Sequence, residues 1–184
     1  FIETKINGDY PSRTYIIGSF TADKYGWYVV LNDLINSQGD TFYLENKTYV
    51  LNQTVNINKN VNIYGGFTAD DGISSTVNGL GTYRLFNIGS GFTVKFFNII
   101  FINGIANNAN GGAIYASGGT LTVTNSSFTN NKATSTSGSG HGGAIYGTTV
   151  NIVSSNFTSN TAFSSYYTKK YGYGGAVYGY NVVC

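Results

Sequence analysis

The chain has 184 residues, enough for one domain with a sizeable core and not enough to force a second. Its 25 Gly, single Pro, 16 Tyr and 12 Phe favour strands and tight turns over helices. Only 10% of the residues are charged and the net charge is +2, which excludes a nucleic-acid footprint, and no apolar run reaches the length of a membrane-spanning helix.

Charge is unevenly placed. All eight carboxylates (Glu3, Asp9, Asp23, Asp33, Asp40, Glu45, Asp70, Asp71) precede residue 72, together with five of the ten cations. The remaining residues carry Arg84, Lys95, Lys132, Lys169 and Lys170 and no acid. Solubility there must come from Asn, Ser and Thr, which suits an extracellular or cell-surface protein. The single Cys184 allows no internal disulfide. Four sequons, at Asn46, Asn52, Asn125 and Asn156, are either N-glycosylation acceptors or chance matches in an Asn/Thr/Ser-rich chain.

Residues 1–26 read as an N-terminal flank, with Tyr15 and Ile17 on alternating positions of a short strand. Leu31, Leu34 and Ile35 then fall on one helical face, which predicts a short helix over 28–36 that caps the stack beginning near residue 27. Two strands are expected around Thr41–Leu44 and Thr48–Val50, followed by alternation through Val55, Ile57, Val61 and Ile63 with Asn between them. Val77–Gly81 reads as a turn and Leu85–Ile88 as a strand.

From Val94 onward the chain repeats. Gly111-Gly112-Ala113-Ile114-Tyr115 returns as Gly142-Gly143-Ala144-Ile145-Tyr146 and as Gly174-Gly175-Ala176-Val177-Tyr178, at spacings of 31 and 32 residues. Between them, the block that starts at Phe128 and contains Asn131 returns at Phe157 with Asn160, and an older copy at Phe101 has Gly104 in place of the Asn. Such a period marks a solenoid whose units stack rather than fold alone. Overlaying the copies aligns Phe96 with Val123 and Ile152, Phe101 with Phe128 and Phe157, and Ala106 with Ala133 and Ala162. Stacked columns of like residues predict an all-β parallel β-helix, with the Gly pairs permitting close approach and the Asn amides bonding up and down the axis. The last residues, Val182–Cys184, align with the middle of a strand, so further coils are expected in the natural protein.

These motifs resemble the repeats of the chlamydial polymorphic membrane proteins. In its wider setting, from Gly39–Leu44 to Asn125–Ala133, the chain also resembles the adhesin-like surface proteins of methanogenic archaea, and both are similar to the pectin-lyase-like right-handed β-helices. The resemblance covers residues 28–184 and implies a cell-surface adhesin. It also implies that Gly111–Ile114 with Phe128 and Asn131, and Gly142–Ile145 with Phe157 and Asn160, take part in adhesion, whereas their residue types read as structural. The partner would be a glycan or protein on another cell.

Many β-helices of that superfamily cleave polysaccharides, so a lyase or glycosidase is the rival expectation. Glycoside hydrolysis needs two facing carboxylates, and the repeat half has none. Asp70 and Asp71 are adjacent in a Gly-rich turn, where they serve as turn formers, although Asp40, Glu45 and Asp70 could meet on stacked coils. His141, the only histidine, lies in a Ser/Gly loop without an acid, Cys or second His beside it, a poor metal ligand or base. The expectation is a protein with no catalytic residues, metal or cofactor. Thr120, Thr122 and Thr124 do not continue as a Thr face in Thr149, Asn151 and Val153, which weighs against an ice-binding surface. The expected binding surface is the insertion holding Tyr166, Tyr167, Lys169, Lys170, Tyr171 and Tyr173, since Tyr offers large contact area at low entropic cost.

Overall fold

The computed structural model describes residues 14–17, 31–32, 35–36, 39–67, 74–138, 140–165 and 172–184. The strands in chain order begin with β1 (Thr14–Ile17), β2 (Thr41–Glu45), β3 (Thr48–Val50), β4 (Val55–Ile57), β5 (Val61–Phe67), β6 (Ser75–Asn78) and β7 (Phe86–Ile88). They continue with β8 (Thr93–Phe97), β9 (Ile99–Ile102), β10 (Ile105–Asn107), β11 (Ile114–Thr124), β12 (Ser127–Thr129) and β13 (Lys132–Ser135). The last are β14 (Gly140–His141), β15 (Ile145–Val153), β16 (Asn156–Thr158), β17 (Thr161–Ser164), β18 (Gly172–Tyr173) and β19 (Val177–Val183).

Every pairing is parallel and joins one coil to the next, which makes the molecule a parallel β-helix. One face is the sheet ordered β1-β2-β5-β8-β11-β15-β19; the second is β3-β6-β9-β12-β16, and the third β10-β13-β17. The expected columns are present: Val123 pairs with Phe96 and Ile152, Phe128 with Phe101 and Phe157, and Ala133 with Ala106 and Ala162. Period-2 alternation explains the core. Phe42, Leu44, Val61, Ile63, Val94 and Phe96 point inward and are buried, while their neighbours face out. Inside, the Phe101, Phe128 and Phe157 rings stack at 4.4 and 4.8 Å with planes within 8°.

Inward polar groups are few and satisfied. Asn131, fully buried, accepts from the Gly104 N–H at 2.8 Å and donates from Nδ2 to the Phe101 carbonyl and to Asn160 Oδ1. The glycine of the older copy thus supplies the N–H that ends the amide ladder. Ser75 Oγ likewise accepts from Gly66 N–H while lying within hydrogen-bond distance of the Leu44 and Glu45 carbonyls. The glycine pairs are close-approach points: a Cβ on Gly112 would lie 2.2 Å from the Gly143 carbonyl oxygen, and one on Gly143 2.0 Å from that of Gly175.

One expectation changes. Val77 is not in a turn: it is buried in β6, between Tyr49 and Phe101 in their column, and the turn starts at Gly79. Val-Asn-Gly reads as a turn from composition, but the inward column captures the valine. The capping helix over 28–36 lies largely outside the described residues; Leu31, Asn32, Ile35 and Asn36 alone are described, in helical conformation. Leu31 and Ile35 are fully buried. Asn32 Oδ1 accepts from Asn56 N–H and Asn36 Oδ1 from Asn58 N–H, each at 3.1 Å, and Asn36 Nδ2 donates to the Asn56 carbonyl. Those amides satisfy backbone groups of β4 and of Asn58 just after it that the β4–β7 pairing leaves over.

Candidate binding surface: the aromatic corner

The corner between the third face and the Gly-Gly motif lengthens coil by coil. Asn107, Thr134 and Phe163 share a column, as do His141 and Tyr173, with Asn110 at the matching place one coil earlier. The chain takes three steps from Asn107 to Asn110, seven from Thr134 to His141 and ten from Phe163 to Tyr173. In solenoids, insertions gathered on one edge form the surface where loops are displayed. The two longer excursions are tied together: Ser165 N–H donates to the Ser135 carbonyl at 2.9 Å and Ser164 Oγ to that of Gly138.

Beside this corner runs a column of tyrosines. Tyr115, Tyr146 and Tyr178, the fifth residues of the three motif copies, pair in register across β11, β15 and β19. Their rings stack with centroids 5.3 and 5.5 Å apart and planes within 8°. Each is half-buried. With both faces of Tyr146 covered by its neighbours, the ladder presents ring edges and phenol groups to water rather than open faces. Burial, then the nearby Tyr115, Tyr180 and Tyr178 phenols, push the Tyr146 phenol above its ordinary range. The column continues below Tyr115 as Asn87 and Asn56, whose amides hydrogen-bond to each other at 3.0 Å.

Arg84 closes the face of Tyr115, with its guanidinium carbon 5.1 Å from the ring centroid. Its Nε donates to the Gly111 carbonyl at 2.9 Å and an Nη to that of Asn110 at 2.7 Å. Burial lowers its pKa, but an arginine stays charged. This residue therefore fastens the first glycine corner to the ladder.

His141 is not in a loop, as the Ser/Gly run suggested. It belongs to β14, pairs with Tyr173 of β18, and packs its ring 5.2 Å from Tyr173, 4.5 Å from Tyr178 and 6.3 Å from Tyr146. Its Nδ1 is buried and has no hydrogen-bond partner among the described residues. Desolvation therefore holds its pKa below the ordinary histidine value. Between the lowered folded pKa and about 6.5 the unfolded chain binds more proton, so this group's contribution to stability falls as pH drops through that window. An NMR titration of the His141 ring should give a midpoint below that of a model peptide; a midpoint at or above it would contradict the packing at Nδ1.

A second ladder, Tyr43, Tyr64 and Phe97, lies outward on the same sheet with centroids 4.9 and 4.4 Å apart. Of the expected insertion site, Tyr166, Tyr167, Lys169, Lys170 and Tyr171 lie outside the described residues, while Tyr173 is 46% exposed at the corner. Among the sequons, Asn52, Asn125 and Asn156 are exposed and Asn46 is half-buried. Asn125 sits in a left-handed turn with φ 49°. Of the acids weighed for catalysis, Asp70 and Asp71 are outside the described residues, Asp40 accepts from Thr41 Oγ1, and Glu45 pairs with Lys47 at 3.0 Å. No group of three His, Cys, Asp or Glu able to hold a metal occurs among the described residues.

Residues 125–148 match the Chlamydia polymorphic membrane protein repeat. The match runs from the turn before β12, through Phe128 and Asn131, to the Gly142–Ile145 motif and into β15. It is a repeat of surface-associated proteins. No curated protein and no solved structure matches the chain.

Proposed function

We propose that this chain is a stretch of a non-catalytic, extracellular adhesin-like protein, a β-helical rod that meets a glycan or protein on another cell through its aromatic corner. The observation that carries this reading is the meeting of two features on one edge: corner excursions that lengthen with each coil, and a half-exposed group of Tyr115, Tyr146, Tyr178, Tyr173 and His141. Tyrosine-rich corners on a stiff support suit contact, since large rings are already ordered before the partner arrives. The surface-associated repeat at 125–148 supports the location. The absence of any acid after Asp71 argues against glycosidic cleavage on this part of the rod.

The test is a glycan array and a cell-binding assay run beside incubation with the same polysaccharides and analysis of the products. Binding without cleavage, weakened about tenfold or more by Tyr173→Ala combined with Tyr146→Ala, is expected. Shortened or unsaturated sugar products would overturn the non-catalytic reading. Binding that ignores both substitutions would remove the corner from it.

A further inference from the structure

We propose that the column Asn56, Asn87, Tyr115, Tyr146, Tyr178 is a track for a neutral, extended β-linked polysaccharide that lies along the solenoid axis with one sugar ring per coil. This rests on the binding role proposed above and names its ligand class and orientation.

Three observations converge on that occupant. The first is periodicity. The column offers one hydrogen-bonding side chain per coil, and its upper rungs are 5.3 and 5.5 Å apart, close to the advance per residue of an extended β-1,4-linked chain. A polymer of matching repeat can meet the three tyrosine rungs without bending, and the shorter Asn side chains continue the column below them.

The second is chemistry. Because the faces of Tyr115 and Tyr146 are used by the neighbouring rings and by Arg84, the track offers there ring edges and phenol hydroxyls, and below them amides. No phenol of the three tyrosines has a hydrogen-bond partner among the described residues. Each hydroxyl can both donate and accept, as can each sugar hydroxyl, so the rungs match a ring that carries alcohols on its equatorial rim.

The third is charge. No carboxylate occurs after Asp71, and Arg84, the one cation at the ladder among the described residues, directs Nε and an Nη to the Gly111 and Asn110 carbonyls. With no carboxylate in the part of the sequence that carries the rungs from Asn87 to Tyr178, and with the guanidinium turned to backbone, the track there complements an uncharged chain. His141 and Tyr173, on the neighbouring column, form one wall of it.

The experiment follows NMR shifts and calorimetric affinity of the full chain with linear β-1,4 oligosaccharides of glucose, mannose and N-acetylglucosamine, from one to six units, with α-linked glucose oligosaccharides of the same lengths for comparison. For at least one β-series, affinity should rise with length and level off near five units. The pentamer should bind about tenfold or more tighter than the dimer, and the α-series should show no such gain. Tyr146→Ala, which interrupts the middle rung, should remove the gain from length, and Tyr146→Phe, which keeps the stack and deletes one hydroxyl, should reduce it. Near-UV circular dichroism confirms that each variant is folded. Length-independent binding of a terminal sugar, or Tyr146-dependent binding to cells with no linear oligosaccharide bound, would overturn the track while leaving the adhesin reading intact. Loss of all glycan and cell binding would overturn both.

Discussion

Phe128→Ala is expected to lower the free energy of unfolding by about 3–5 kcal/mol, the usual range for deleting a buried phenylalanine. The ring is fully buried and has a partner on each face, Phe101 at 4.4 Å and Phe157 at 4.8 Å. Its removal leaves a gap between two coils that parallel pairing holds at a fixed distance, so the walls have little freedom to close. Phe157→Ala, where the ring is only half-buried, should cost less. Urea denaturation followed by circular dichroism measures both, and a loss below about 1 kcal/mol for Phe128→Ala would show that the column does not support the stack.

Asn131→Ala is expected to cost about 3 kcal/mol, through unpaired groups rather than lost volume. The buried amide receives the Gly104 N–H and donates to the Phe101 carbonyl and to Asn160 Oδ1. Truncation strands the Gly104 N–H inside the coil and takes a side-chain donor from the Phe101 carbonyl. The Asn131 backbone N–H would keep its bond to Asn160 Oδ1, which limits the damage on that side. Asn160→Ala should be milder because that residue is half-buried and can be replaced in part by water. Equal costs for the two would mean that the ladder is not cooperative along the axis.

The repeat half was legible because its coils keep nearly one length, so sequence overlay and spatial register coincide. Phe101, Phe128 and Phe157 line up in the chain at 27 and 29 residues and line up in space for the same reason. Val77 escaped because only 24 residues separate it from Phe101, and its neighbours Asn78 and Gly79 carry turn chemistry that outweighs one inward valine. His141 was obscured by the Ser/Gly run before it, although its place directly ahead of a Gly pair, shared with Asn110 and Tyr173, held the signal. The tyrosine ladder was equally visible as the last letter of each motif copy. Nothing in one copy alone, however, says that the ring faces out and stacks, since that depends on the neighbouring coils. Of the insertion rich in Tyr and Lys, Tyr173 is the part whose packing is described, and it lies at this corner.

Hydrogen bonds between coils point along the axis, while the backbone travels around it. Tension applied along the rod therefore opens one coil before it loads the next, as a zipper does, and does not shear a whole sheet at once. Each coil of 31 or 32 residues would pay out roughly 100 Å of slack when it lets go. Under steady drag such a thread gives way in steps, dissipates work at every step, and rewinds from the coils that remain.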